Sequence, residues 1–259
     1  MGRGARLLRD PAVQQSAACA RGHGADPGGG AAARPARAGG EDGVKIVTVT
    51  SRLFAANAYV VVCERSGVAA VVDTGEDGSG IPEAIERLGA RLDKILITHG
   101  HLDHVGGLAP LKRRYPEATI HAPAGDVPLI ERAAAQGAAF GVPVEPPPPI
   151  EVLVRDGDRV AVGETIEFEV LATPGHSPGG VVYYEPRAGV AFVGDTIFQG
   201  SVGRVDLPGG DGRTLLRSIE QRILQLPDDT RLLSGHGPPT TVGFERRNNP
   251  FLQPGVRLD

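Results

Sequence analysis

Cysteine, methionine and tryptophan are scarce in this chain of 259 residues, which contains two Cys, one Met and no Trp. The two cysteines, Cys19 and Cys63, can build neither a disulfide framework nor a four-cysteine zinc site. This scarcity is typical of proteins from a reducing compartment, so we expect a cytoplasmic location. Aromatic residues make up 4% of the chain, which predicts a core of Val, Ile, Leu and Ala.

An excess of basic charge and long apolar runs are also lacking. Lys and Arg number 27 against 31 for Asp and Glu, so the formal net charge is −4. Because nucleic-acid-binding surfaces need clustered positive charge, we expect no nucleic-acid partner. No run approaches the ~18 apolar residues of a spanning helix, and the N-terminus lacks the apolar block of a secretory signal. We therefore expect no membrane partner, and the pattern predicts no particular oligomeric state.

Residues 1–43 differ in kind from the rest of the chain. They are rich in Gly, Ala and Arg, and Leu7, Leu8 and Val13 are their only branched aliphatic residues. Such a segment cannot bury enough apolar surface to offset the entropy of ordering it. We predict a disordered tail over 1–43, whose acidic residues argue against an organelle transit peptide, and one folded domain over 44–259.

From residue 44 onward, β-branched runs broken by Gly, Pro and Asp predict strands. These lie at 44–49, 59–63, 68–72, 94–98, 119–122, 150–154, 159–162, 165–172, 181–184, 190–193 and 231–234. Apolar residues at helical spacing predict helices at 81–92, 105–115, 127–136 and 214–226. A proline-rich connector at 142–149 separates two halves, each with strands first and helices later. This order predicts an α+β fold, a four-layer αβ/βα sandwich of two mixed β-sheets with outer helices.

Three imidazoles and a carboxylate fall within six residues directly after a predicted strand. They are His99, His101, Asp103 and His104. Neutral imidazole and carboxylate together suit Zn, Fe or Mn, whereas a His-rich polar turn would be the ordinary alternative. His99 and His101 are two apart at a strand end and can reach one ion, while Asp103 and His104 on the following turn point elsewhere. The spacing therefore indicates two ions.

Three further candidates follow predicted strands in Gly-containing turns, namely His176, Asp195 and His236. Taken singly, such turns are ordinary solvated loops. Taken together, they complete two ligand groups. The first ion would be held by His99, His101 and His176, and the second by Asp103, His104 and His236, with Asp195 bridging them.

The residues at 98–107, Gly175-His176, Gly194-Asp195 and Gly235-His236 resemble, in the same order, the metal-binding signature of the metallo-β-lactamase superfamily. The resemblance extends over 44–259 and implies the four-layer fold and a hydrolase domain. It also implies that Asp73, in the turn after the strand at 68–72, supports the metal loop. His121 matches no ligand position of the family and is expected to be an ordinary strand histidine.

Within the superfamily, Asp195 at the bridging position and the segments 198–207 and 248–251 resemble compact, single-domain glyoxalase II-like enzymes, that is, hydroxyacylglutathione hydrolases. The best-known lactamases of the family place Cys in the corresponding role and are exported. The segment after His236 is too short for the helical domain with which longer glyoxalase II enzymes bind glutathione. The resemblance therefore defines the reaction better than the substrate.

This resemblance implies a thioester hydrolase acting on S-lactoylglutathione or a related hydroxyacylglutathione. Two divalent ions, with Zn preferred and Fe or Mn as alternatives, would supply a bridging hydroxide near neutral pH. Asp103 would be the catalytic residue that orients this hydroxide, and the net positive site would favour an anionic substrate. A thiolate departs without a general acid, which suits a thioester. Arg204 is a candidate for binding a substrate carboxylate, or else a structural residue that bonds loop carbonyls.

Three alternatives stay open. A mononuclear Fe(II) persulfide dioxygenase of the same branch would use His99, His176 and Asp195 as ligands. A nuclease would share the His-rich motif, although the acidic balance argues against it. A metal-binding module without catalysis would retain the same ligands.

Overall fold

The computed structural model describes residues 43–258, and within them the chain forms two six-stranded mixed sheets and one small hairpin. The predicted tail at 1–43 lies outside the described residues apart from Gly43, so it stays a prediction. No helix between residues 43 and 258 combines the length and the apolar character needed to cross a bilayer.

The first sheet contains the first six strands in their chain order. They are β1 (Val44–Thr50), β2 (Asn57–Cys63), β3 (Val68–Val72), β4 (Arg91–Leu96), β5 (Thr119–Pro123) and β6 (Val152–Val154). β1, β2 and β3 pair antiparallel, whereas β3, β4, β5 and β6 pair parallel. The carboxyl ends of β3, β4 and β5 consequently meet at one edge of the sheet.

The remaining strands build the second sheet and the hairpin. They are β7 (Arg159–Val162), β8 (Ile166–Ala172), β9 (Val181–Glu185), β10 (Val190–Gly194), β11 (Ile197–Phe198), β12 (Ser201–Val202), β13 (Arg231–Ser234) and β14 (Thr240–Thr241). The sheet has the order β14-β13-β10-β9-β8-β7, with β10 and β13 parallel and the other pairs antiparallel. β11 and β12 form the separate hairpin.

Seven α-helices lie among the described residues. They are α1 (Ile81–Leu88), α2 (Leu102–Val105), α3 (Leu108–Arg114), α4 (Val127–Glu131), α5 (Ala133–Phe140), α6 (Gly212–Ser218) and α7 (Val242–Asn248). α6 continues as a π-helical turn over Ile219–Ile223. Short 3₁₀ turns occupy Ala124–Asp126 and Pro250–Leu252.

Three apolar clusters define the layers. The middle cluster packs residues of both sheets against each other, including Val61 of the first sheet and Phe192 of the second. One outer cluster joins the first sheet to α1 and α3, and the other joins the second sheet to α6 and its π-helical turn. Each fully buried aliphatic or Phe side chain contributes about 1.5–3 kcal/mol. The prediction of an α+β, four-layer sandwich is confirmed.

Several predicted boundaries were wrong. The helix expected over 81–92 ends at Leu88, because Gly89 adopts a left-handed conformation with φ of 61°, and Leu92 lies instead on β4. The helix expected over 105–115 is divided into α2 and α3, so Asp103 and His104 lie on a short helix rather than on a turn. The hairpin β11–β12 and helix α7 were not predicted.

Candidate metal centre

Three imidazoles converge where the first sheet meets the second. His99 and His101 lie on the loop between β4 and α2, and His176 lies on the loop after β8. The His99 Nε2 atom is 3.2 Å from His176 Nε2, and His101 Nδ1 is 2.8 Å from the same atom. All three rings are buried. This first ligand group thus draws on both sheets.

A second group forms beside the first. Asp103 and His104 belong to α2, and His236 lies two residues beyond β13. His236 Nε2 lies 3.1 Å from Asp103 Oδ2, and His104 Nε2 lies 3.7 Å from that oxygen. This second ligand group also joins the two sheets.

Asp195 lies between the two groups, directly after β10. Its Oδ1 is 3.4 Å from His104 Nε2. Its Oδ2 is 3.6 Å from His176 Nε2 and 3.5 Å from His236 Nε2. The structure therefore brings together all seven side chains proposed as ligands, although their order along the chain spans both halves.

The orientation of the rings is set by hydrogen bonds from their other nitrogens. Asp73, buried at the end of β3 with φ of 57°, accepts from the Thr98 backbone N–H (2.8 Å), the Thr98 hydroxyl (2.8 Å) and His104 Nδ1 (2.8 Å). His99 Nδ1 lies 3.1 Å from the Thr98 hydroxyl oxygen, and His176 Nδ1 donates to the Arg204 carbonyl over 2.8 Å. These bonds leave the opposite Nε2 atoms facing the cluster.

At His99, His101 and Asp195 the electrostatics favour the protonation states that metal ligands need. Burial, reinforced by His104, lowers the pKa of His99 well below its ordinary value, and burial with His176 lowers that of His101 to about 4. Burial alone would raise the pKa of Asp195, but the positive charges of His236 and His104 hold it well below the usual range. Neutral imidazoles beside ionised carboxylates are a typical divalent-metal ligand set.

The pKa of His104 shifts in the opposite direction to those of His99 and His101. Burial disfavours its charged form, yet the carboxylates of Asp195, Asp103 and Asp73 outweigh burial and raise its pKa well above the ordinary value. The same carboxylates act on His236, whose pKa is raised by Asp195 and Asp103 against the effect of burial. The acidic side chains thus create a demand for positive charge within the second ligand group.

Two buried polar atoms test whether these residues fit a metal ion. His104 Nε2 and Asp195 Oδ1 have no hydrogen-bond partner among the described residues. Leaving such a group unsatisfied costs about 1–3 kcal/mol. Both atoms belong to a triad, with His99, whose potential ligand atoms lie within 4.8 Å of one another. A divalent cation would satisfy both atoms, so the residues present fit a metal site.

Arg204 is linked to the centre through its backbone. Its carbonyl accepts from His176 Nδ1, while its guanidinium pairs with Asp206, with Nε to Oδ1 at 2.7 Å and Nη2 to Oδ2 at 2.6 Å. The predicted substrate contact of Arg204 therefore stays a prediction. His121 lies within β5 with its Nε2 3.0 Å from the Thr119 hydroxyl, and it belongs to none of the candidate ligand groups in the described part of the chain.

Two residues that contact His236 or its loop were not predicted from the sequence. Asn57 Nδ2 donates to the carbonyls of Ser234 (3.1 Å) and Gly237 (3.0 Å), on either side of His236. The Phe198 ring lies 6.1 Å from the His236 ring. Asn57 precedes the strand predicted at 59–63, and Phe198 was noted only as part of a segment that resembles the family, so neither residue type indicated a contact with the His236 loop.

Comparison with known proteins agrees with this geometry. A family model described as the metallo-β-lactamase superfamily matches residues 51–236. The hydroxyacylglutathione hydrolase GloC of Haemophilus influenzae is 37% identical over 210 residues, covering 81% of this chain and 97% of that protein.

Two solved structures are also similar. The B3 metallo-β-lactamase BLEG-1 has a TM-score of 0.75 and 34% identity, covering 81% of this chain and 100% of that one. TTHA1623 in a di-iron-bound form has a TM-score of 0.72 and 39% identity, covering 80% of this chain and 100% of that one. The fold, the ordered His and Asp cluster and these similarities lead to one conclusion: the chain belongs to the metallo-β-lactamase superfamily, and its relatives agree with the glyoxalase II-like branch.

Proposed function

We propose that this chain is a metal-dependent hydrolase of thioesters, acting on S-lactoylglutathione or a related hydroxyacylglutathione. Two divalent ions, zinc foremost, are the proposed cofactors. The similarity to GloC supports the substrate class. The observation that carries the proposal is the second ligand group, Asp103, His104 and His236, beside the first and next to Asp195.

The number of donors argues for two ions. A single ion on His99, His176 and Asp195 would leave the buried His104 Nε2 without a partner. It would also leave the carboxylate of Asp103 with only the protons of His104 and His236 to balance its charge. Burying unpaired polar or charged groups is costly, so the complete set favours a dinuclear centre.

Two divalent ions held by the first and second ligand groups would lower the pKa of a bound water to about 7 and would polarise a carbonyl group. The chain itself contributes orientation. The Asp103 side chain is 21% exposed, so its carboxylate faces the open side of the cluster, where it can accept a hydrogen bond from an attacking water. Asp103 is therefore the proposed catalytic residue.

The surroundings favour a leaving group that needs no proton. The Tyr59 hydroxyl donates to the Ser234 carbonyl over 2.6 Å, and the Tyr183 hydroxyl donates to the Ile97 carbonyl over 3.0 Å. Both phenols behind the ligand loops are thus committed to the backbone. A thiol with a pKa near ~8.5 departs as thiolate without a general acid, whereas an amine leaving group requires protonation. The site therefore suits thioesters better than amides.

We also propose that Arg204 binds a carboxylate of the substrate. The Arg204 side chain is 37% exposed and already pairs with Asp206, so a substrate carboxylate would have to replace Asp206. Arg204→Leu is expected to raise KM with little change in kcat, because the backbone carbonyl that orients His176 is retained. A fall in kcat at constant KM would contradict this role.

One experiment tests the reaction. Metal content of the purified full chain should be measured by mass spectrometry, together with thiol release from S-lactoylglutathione and oxygen uptake with glutathione persulfide. Two ions per chain and thiol release are expected. One iron with oxygen consumption would instead support the dioxygenase, whereas two irons with thiol release would keep the hydrolase, in line with the di-iron-bound form of the similar TTHA1623 structure. A β-lactam should be included as a third substrate because BLEG-1 is also similar.

Two variants distinguish the candidates further. Asp195→Ala removes the carboxylate common to both ligand schemes and should abolish either activity. His236→Ala should damage the dinuclear hydrolase strongly and the mononuclear dioxygenase little, because His236 belongs only to the second ligand group. The cytoplasmic location proposed for the enzyme is tested separately by fractionation of cells that express the full chain.

A further inference from the structure

A buried carboxylate outside the ligand set joins the two loops that carry the first ligand group. Asp126 follows β5 in the turn that leads into α4, and its side chain is fully buried. Its Oδ2 accepts from the Gly100 backbone N–H over 2.9 Å, and its Oδ1 accepts from the Gly179 N–H over 2.6 Å. Gly100 separates His99 from His101, and Gly179 lies on the loop of His176. Each carboxylate oxygen thus holds one ligand loop.

The three backbone segments approach one another closely at this point. A Cβ atom on Gly100 would lie 2.6 Å from the Leu129 Cβ, and one on Gly179 would lie 2.4 Å from the Asp126 nitrogen. Real Cβ atoms do not tolerate such distances, so glycine is required for the approach. The ligand loops therefore rest directly on the Asp126 turn and the start of α4.

Gln136 of α5 binds the same loop from the other side. Its Oε1 accepts from the Leu102 backbone N–H over 3.0 Å, and its Nε2 donates to the carbonyls of Gly100 (3.1 Å) and Leu129 (2.8 Å). Asp126 and Gln136 together satisfy the N–H and carbonyl of Gly100 and the N–H of Leu102. Gln136 thereby holds both peptide groups that flank His101, and Asp126 holds the peptide group between His99 and Gly100.

We propose that Asp126, assisted by Gln136, is a positioning residue that sets the geometry of the first ligand group. Asp126 acts through the backbone of the two loops and touches no reacting atom. Its two hydrogen bonds reach the loops of His99, His101 and His176 and not α2 or the loop after β13. The proposal rests on the metal-binding role proposed for these histidines, and it makes the first ion depend on Asp126 more than the second.

Asp126→Asn is the direct test. Asparagine keeps the volume, but its amide nitrogen must face one of the two N–H donors, so one loop loses its acceptor. Zn²⁺ binding to the full chain should be measured by competition with a chromogenic chelator, below the unfolding temperature of the metal-free variant. We expect affinity for one ion to fall by about 10- to 100-fold, the range found for residues that orient ligands, while the other ion is retained. The absorption spectrum of the Co²⁺-loaded chain should change accordingly.

Glu185→Gln is the matched control. Glu185 is also buried and accepts a backbone N–H, that of Ala188, but it lies at the end of β9 remote from the ligand loops, paired with Val190 at the start of β10. Glutamine turns the charge-assisted bond from the Ala188 N–H into a weaker neutral one, so this variant should lower the unfolding temperature without weakening Zn²⁺ binding. If Glu185→Gln weakened Zn²⁺ binding as much as Asp126→Asn, the effect would be general destabilisation and the proposal would be wrong.

Gln136→Leu provides a second variant because the Gln136 side chain is only partly buried and its loss is better tolerated. It should weaken the same ion and alter the same Co²⁺ bands. Wild-type Zn²⁺ affinity in Asp126→Asn, or in Gln136→Leu if Asp126→Asn does not fold, would overturn the positioning role. A wild-type chain that bound no Zn²⁺ or Co²⁺ would instead refute the proposed metal centre, so the two failures are distinguishable.

Discussion

Asp73→Asn provides a sharp test of how the second ligand group is oriented. The Asp73 carboxylate accepts three hydrogen bonds, two from Thr98 and one from His104 Nδ1. Asparagine has nearly the same volume and tolerates the left-handed φ of 57°. It offers only one acceptor oxygen, so the substitution changes the hydrogen bonds and the charge but not the packing.

The magnitude follows from the least costly placement of the amide. With the amide nitrogen at the Oδ1 position, the two donors at Oδ2 keep their acceptor and only the Thr98 backbone N–H is orphaned. A buried N–H without a partner costs about 1–3 kcal/mol. The bond to His104 also weakens because the acceptor is no longer charged. The orphaned N–H lowers the stability of the metal-free and the metal-bound chain alike, whereas the weaker bond to His104 should lower Zn²⁺ affinity by about 10- to 100-fold, the range found for residues that orient ligands.

The assay compares urea unfolding of the metal-free chain with Zn²⁺ binding by chelator competition. Asp77→Asn is the control, because Asp77 lies four residues away and accepts from the Ser79 N–H over 2.9 Å on the exposed part of the turn. The control should leave Zn²⁺ affinity unchanged. If Asp73→Asn lost stability but bound Zn²⁺ like the wild type, Asp73 would only brace the loop, and the reasoning on ring orientation would be refuted.

Three further predictions concern the same chain. Gly235→Ala places a Cβ 2.2 Å from Asp195 Oδ1 and 2.6 Å from His104 Cε1. Overpacking of this kind costs about 1–3 kcal/mol, so Zn²⁺ affinity should fall, and an unchanged chelator titration would contradict the observed packing. Burial, with Lys94, lowers the pKa of His121 from 6.5 to about 4. Between pH 6.5 and 4 His121 is therefore protonated in the unfolded chain but not in the folded one. The free energy of unfolding consequently decreases as pH falls through this range, by at most about 1.4 kcal/mol per pH unit. His121→Leu should flatten this pH dependence, measured by urea unfolding of the metal-free protein. If the stability of the variant changed with pH in parallel with that of the wild type, the lowered pKa of His121 would be contradicted. Removal of metal with EDTA should lower the unfolding temperature, because an ion at 100 times its dissociation constant adds about 2.7 kcal/mol of stability. If the EDTA-treated chain unfolded at the same temperature as the untreated chain, metal binding by the native fold would be contradicted.

The ligand cluster could be predicted from the sequence because its signal is local. Each candidate ligand lies shortly after a β-branched run, in a segment that contains Gly or Asp, so strand ends and ligand types can be identified without knowing the topology. The order β3-β4-β5 then places the carboxyl ends of parallel strands at one edge of the first sheet. The helix boundaries were less predictable. The apolar period of α1 extends to Leu92, but the left-handed Gly89 ends the helix before it.

The supporting residues could not be predicted, because their partners are backbone groups. Asp126 and Gln136 bind the peptide groups of Gly100, Leu102 and Gly179. A peptide N–H or carbonyl is present at almost every position, so such a contact leaves no mark on the partner's residue type. Only the side-chain partner of such a contact can be read from the sequence, and Asp126 in the turn after β5 resembles any polar turn residue. Asp73 was identified by family resemblance and not by pattern. It follows that the candidate metal ligands can be identified from one sequence, whereas the residues that hold the ligand loops require the folded chain.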